Sequence, residues 1–212
     1  MARAAEVAGK PRSVDHLSAA VTPISALTAW QGLIERGRLV TGQRVLIHGA
    51  AGGVGVFAVQ LAHWRGAQVI GTALANNVAF VRGLGADEVI DYRAKRFEDV
   101  VHDLDVVFDT VGGETLERSW GVLKPGGRLV TIATSGEGSQ DPRTREAFFI
   151  VQANRAQLAE IARLIDAGQL RPVVDVVFPL AQARTAYEHK PAHGKVVLRI
   201  ADGGSPAKFG NR

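Results

Sequence analysis

HGAAGGVGVFAVQLA, residues 48–62, is the stretch whose reading decides the fold. Within it Ala50-Ala51-Gly52-Gly53-Val54-Gly55 fits the dinucleotide fingerprint G-x-G-x-x-G, with alanine in place of the first glycine. Gly52 lets a backbone approach a pyrophosphate, and Gly55 lets the following helix pack closely on the strand before it. A helix opening there offers free N–H groups and the positive end of its dipole to an anion. Taken alone, such a hexapeptide is a weak signal. Its strength comes from its place, after a strand-like run and before a helix-like one.

Working outward, RVLIH at 44–48 reads as that strand and the helix runs to about Arg65. AQVIGT at 67–72, EVIDY at 88–92, LDVVFDTV at 104–111 and GRLVTIA at 127–133 read as further strands. Helices fall between them, at about 76–84 and 114–122, and a tight turn at KPGG precedes the fifth strand. Runs this apolar are buried on both faces, as in a parallel sheet. The polar stretch 134–146 is expected as a loop and AFFIVQ at 147–152 as a sixth strand. A helix follows, capped by Asn154 and stopped by Gly168, with Leu158, Ile161, Leu164 and Ile165 on one stripe. VVDVVFPL, a helix around 181–189, and GKVVLRI end the ordered part, and the tail from 201 to 212 is expected to be disordered.

The composition, 46% hydrophobic and 22% charged over 212 residues, is that of an ordinary soluble domain, and a cytoplasmic setting is expected. No apolar run is long enough to cross a bilayer. There is no cysteine, which excludes disulfides, thiolate metal sites and cysteine nucleophiles. Net charge is +4 with scattered arginines, so no nucleic-acid partner is expected. His189 and His193 straddle Pro191 off any helix and, even with His102, do not make a metal set. His48 reads as a hydrogen-bonded strand residue, Asp91 and Asp109 as turn formers, and no G-x-S-x-G marks a hydrolase.

NAD-type folds carry an acid at the end of the second strand, bonded to the ribose 2′-hydroxyl. Here that strand ends Gly71-Thr72-Ala73, and the first acid after Gly55 is Asp87. The missing carboxylate favours NADP. Asn76 and Asn77 are neutral, however, and Tyr92 with Arg93 are the nearest groups to meet a 2′-phosphate.

LTAWQGLIERGRLVTGQRVLIHGAAGGVG, LGADEVIDYR, FDTVGGETLERSWGVLKPGGRLVTIA and GKVVLRI together resemble the medium-chain dehydrogenase/reductase superfamily. More narrowly they resemble its zinc-free quinone oxidoreductase branch, whose members reduce quinones or activated alkenes with NADPH. The resemblance implies a Rossmann doubly wound parallel sheet with short remnants of a GroES-like catalytic domain. Residues 1–42 would be an N-terminal remnant with a connecting helix, 43–152 the dinucleotide-binding core, and 153–200 a helix with return strands. The family's catalytic domain precedes the TAW helix, where this chain begins, so no catalytic residue is assigned. By the same resemblance Gly52, Gly53, Val54 and Gly55 hold the pyrophosphate, and Thr72 and Tyr92 approach the adenosine ribose. Val111, Ala133, Phe149 and Val151 surround the nicotinamide, and Thr28 stands near it. Phe149, Val151 and Thr28 read equally well as packing residues. The implied chemistry is direct hydride transfer without a metal, in a homodimer joined through AFFIVQ. A cofactor-binding module without turnover, or a shortened product acting through a partner chain, stays open.

Overall fold

The computed structural model describes residues 3–133 and 139–201. Five parallel strands form the central sheet: β1 (Arg44–Ile47), β2 (Gln68–Ala73), β3 (Glu88–Asp91), β4 (Leu104–Asp109) and β5 (Leu123–Thr131). Their order is β3-β2-β1-β4-β5, so the chain starts in the middle, runs to one edge and crosses back. β1 is therefore flanked on both sides, with Val45 opposite Val69 and Val106. The crossover between β1 and β4 is a topological switch point, where open α/β sheets bind ligands.

Each strand alternates its side chains between two cores. Val45, Ile47, Val69, Val106 and Phe108 face one side, where they meet α2 (Pro23–Trp30), α3 (Gly55–Trp64) and α7 (Arg155–Asp166). Leu46, Ile70, Ile90 and Val107 face the other, against Phe97, Val101 and Leu116 of α5 (Gly113–Ser119). The short helix α4 (Val78–Arg82) lies against β2 and β3, while α1 (His16–Ala20) lies against the two strands that end the described chain. Ile161, Leu164 and Ile165 of α7 share the first core with β1. Asn154 caps α7 by accepting the Gln157 N–H, and Gly168 ends it at φ 71°.

Three expectations are corrected. AFFIVQ is not a sixth strand: a single parallel bridge joins Phe148 to Thr131, and β5 is left as the sheet edge. The expected loop at 134–146 ends in a helix, α6 (Pro142–Ala147), with Asp141 accepting the Arg143 N–H as its cap and proline at its first position. Residues 134–138 lie outside the described residues. KPGG does not precede β5 but lies inside it, as an irregularity with Gly126 at φ 80° and a register shift against β4.

The return strands β6 (Val174–Pro179) and β7 (Lys195–Arg199) pair parallel with each other, joined by α8 (Ala183–Glu188). They form a separate sheet, half-exposed along β6, with Leu198 and Ile200 open to solvent. The expected tail lies, from Asp202 onward, outside the described residues. No described helix is long and apolar enough to cross a membrane.

Candidate dinucleotide site

The site is built at the C-terminal ends of β1, β2 and β4. β1 ends at Ile47, His48 continues its ladder by donating to the Phe108 carbonyl at 3.0 Å, and the chain then turns at Gly49. Gly49 sits at φ 70° and accepts the Gly52 N–H at 2.9 Å. The tight turn that the fingerprint assigns to its first glycine is thus made one residue earlier, which explains how Ala50 is tolerated. Ala50 itself is fully buried and donates to the Thr72 carbonyl at 3.0 Å, stitching the loop to β2. At the far end Gly55 packs against the backbone, and a Cβ there would collide with the Gly49 carbonyl oxygen. Helix α3 therefore starts directly beneath the loop with the positive end of its dipole toward it, the Val56 N–H donating to the Gly52 carbonyl and the Phe57 and Ala58 N–H groups to that of Val54.

Sequence reading missed the second wall. The segment entering β7 crosses the loop: Gly194 donates to the Ala51 carbonyl at 2.9 Å and bridges Gly52. Asn77 Nδ2 donates to the Ala192 carbonyl at 2.8 Å, and the His193 ring stacks on Phe80 at 4.2 Å. These contacts place the Lys195 side chain against Gly53. The glycine loop, the N-terminus of α3 and the Lys195 stem meet here, so a pyrophosphate on the loop would lie within reach of the Lys195 ammonium group.

Tyr92 and Val111 stand at the ends of neighbouring parts of the sheet. The Tyr92 N–H reaches the Ala73 carbonyl at 3.3 Å, which puts this exposed residue at the end of β2. Asp87 lies at the other end of that strand, accepting the Val69 N–H at 2.7 Å. Asp91 accepts the Arg93 N–H in its own turn. Val111 is 55% exposed and stands beside Gly49. Its turn is held by buried Asp109, which accepts the N–H groups of Val111 and Gly112 and the Thr131 hydroxyl. Ala133 is half-buried at the end of β5, its N–H bonded to the Thr131 hydroxyl.

The remaining candidates are turned inward. Thr72 is 3% exposed, and its hydroxyl meets His48 and the Gly49 N–H. Thr28 donates to the Ile24 carbonyl at 2.7 Å within its own helix. Phe149 is buried beneath the Arg36 guanidinium, and Val151 packs on the first core. A cavity of about 630 Å³ lies elsewhere, along β5 and α6 between Arg36, Arg128, Arg143 and Trp120. Among the described residues, no group of three His, Asp or Glu could hold a metal ion.

A family profile described as zinc-binding dehydrogenase matches residues 84–198, from the turn before β3 through β7. This chain belongs to that family, within the medium-chain dehydrogenase/reductases. It is 34% identical to zebrafish (Danio rerio) NAD(P)H oxidoreductase RTN4IP1, mitochondrial, over 93% of this chain and 60% of the relative. It is 36% identical to the Arabidopsis thaliana NADPH-dependent alkenal/one oxidoreductase, chloroplastic, over 89% of this chain and 48% of that one. The solved quinone oxidoreductase of Coxiella burnetii superposes with a TM-score of 0.83 at 33% identity, over 91% of this chain and 63% of that one. The chain thus spans about six-tenths of the length of the zebrafish relative and of the Coxiella structure.

Proposed function

We propose that this chain binds a nicotinamide dinucleotide, NADPH in preference to NADH, and serves hydride transfer to a quinone or activated alkene without a metal. The observation that carries the reading is the convergence of the Gly49–Gly55 loop, the start of α3 and Lys195. In this proposal the Gly52–Gly55 loop, at the positive end of the α3 dipole, and Lys195 hold the pyrophosphate, and Tyr92 with Arg93 faces the adenosine ribose. Val111 and Ala133 line the approach of the nicotinamide, with Phe149, Val151 and Thr28 packing behind. The preference for NADPH is supported by Thr72 and Ala73, which end β2 where an acid would meet the ribose 2′-hydroxyl, and by Asp91 opposite Ala73, which accepts the Arg93 N–H in its own turn. When bound, the cofactor supplies the hydride. The chain's own residues orient it and leave its nicotinamide end open toward the acceptor.

The substrate side follows by analogy with relatives named for quinones and alkenals. Hydride consumption with benzoquinone and with an alkenal, using NADPH and NADH in parallel, tests it. Turnover with either acceptor, faster with NADPH than with NADH, is the expected result.

A second reading is favoured by the β6–β7 sheet, which leaves Leu180, Leu198 and Ile200 exposed. On that reading the chain binds NADPH without turnover and associates with a partner through this sheet. Self-association belongs to the same proposal, with the edge strand now β5 in place of AFFIVQ, and light scattering at increasing concentration tests it. A cytoplasmic setting is also proposed, although five of the matched relatives carry mitochondrial names. Cell fractionation decides that point.

A further inference from the structure

We propose that His48 is a positioning residue for the glycine loop, fixing through Thr72 the turn on which the dinucleotide phosphates rest. The inference builds on the cofactor reading above and assigns a task to a residue that touches no ligand.

The hydrogen bonds define a one-way chain. Ser119 donates its single hydroxyl proton to the Thr115 carbonyl at 2.7 Å, so its oxygen must accept from His48 Nε2 at 3.0 Å. Nε2 therefore carries the ring proton. In a neutral ring Nδ1 is then bare, and it accepts the Thr72 hydroxyl at 3.1 Å. The Thr72 oxygen accepts the Gly49 N–H at 3.3 Å. Each donor points the same way, from the loop through β2 and β1 into α5.

The far side of the turn is held by Thr110, whose hydroxyl donates to the His48 carbonyl at 2.8 Å and occupies the space a Gly49 side chain would need. His48 is 1% exposed, with the Phe97 ring edge-on at 4.6 Å. Burial lowers its pKa to about 4, so the ring stays neutral at ordinary pH. A proton on Nδ1 would force Thr72 to turn round and strand its own hydrogen. A histidine that merely fills the core needs two partners, but neither has to end on the loop.

The test uses Thr72→Val, His48→Leu, the double variant and Thr72→Ser in the full chain. Three quantities are measured: Gly49 amide exchange without ligand, NADPH affinity, and thermal unfolding. Thr72→Val and His48→Leu should each speed Gly49 exchange and weaken NADPH binding by roughly five- to tenfold at temperatures where both stay folded. Thr72→Ser should restore both. The double variant should be no worse than the worse single one, because the two residues act in series. Fully additive losses, or unchanged exchange and affinity in folded Thr72→Val, would overturn the proposal. Nitrogen NMR of the wild-type imidazoles provides a check independent of the variants. It should find His48 protonated at Nε2 and bare at Nδ1, and the opposite tautomer would also overturn it. If the wild type binds no dinucleotide, the cofactor reading fails, while Gly49 exchange still decides what His48 does.

Discussion

Lys195 lies across Gly53: a side chain on that glycine would meet Lys195 Cε at 2.5 Å and Cδ at 3.0 Å. The contact joins the last strand of the chain to the first loop of the sheet. An ammonium group at the end of that stem would strengthen anion binding through charge-assisted bonds, and reversing its charge should weaken binding. Lys195→Glu is expected to lower NADPH affinity roughly tenfold or more. Lys195→Ala should lower it less and flatten its dependence on salt. Isothermal titration at two ionic strengths checks both.

Gly55 is required for a different reason. A methyl group there meets the Gly49 carbonyl and the Ala50 backbone, neither of which can swing aside as a flexible side chain would. Gly55→Ala should therefore destabilise the fold by about 1–3 kcal/mol as well as weaken cofactor binding. Denaturant unfolding in the absence of ligand separates the two effects.

His48 gives stability a dependence on pH. Burial takes it from an ordinary 6.5 to about 4 in the folded chain. Between those values the unfolded chain binds a proton that the folded chain does not. Stability is therefore fully present above pH 6.5 and is lost as pH falls through about 4. The gap corresponds to about 3 kcal/mol. His48→Gln removes the titrating group, so its unfolding free energy should be flatter across this window when measured against the wild type.

Asp109 anchors the turn that carries Val111. It is fully buried and accepts two backbone N–H groups and the Thr131 hydroxyl. Asp109→Ala leaves these donors without a partner and should cost about 3 kcal/mol or more, read as a lowered unfolding midpoint.

The sheet was legible because strand, glycine spacing and helix agree at Arg44–Trp64, and because the later strands are too apolar for anything but burial. Asn154 and Gly168 marked α7 through cap chemistry that depends on neighbouring residues alone. Helix α6 was missed although Asp141-Pro142 is a helix-start signal, because the polar run around it reads as a loop. AFFIVQ misled through its apolarity. Phe149 is buried as core, while Ile150 is 69% exposed, and a short apolar run does not distinguish strand from packed coil. The site divides in the same way. The loop and Tyr92 lie within local pattern, whereas Lys195 over Gly53 and Ser119 beneath His48 are contacts between distant parts of the chain. Gly49 was visible in HGAAGG, and a register shifted by one residue hid it.

The most direct measurement is a fluorescence titration of the purified chain with NADPH, with NADH in parallel. Saturable NADPH binding, tighter than that of NADH and weakened by Lys195→Glu, is the expected result. Failure to bind either nucleotide would contradict the assignment of the Gly49–Gly55 loop as a phosphate cradle and leave the Rossmann sheet as a fold without its ligand.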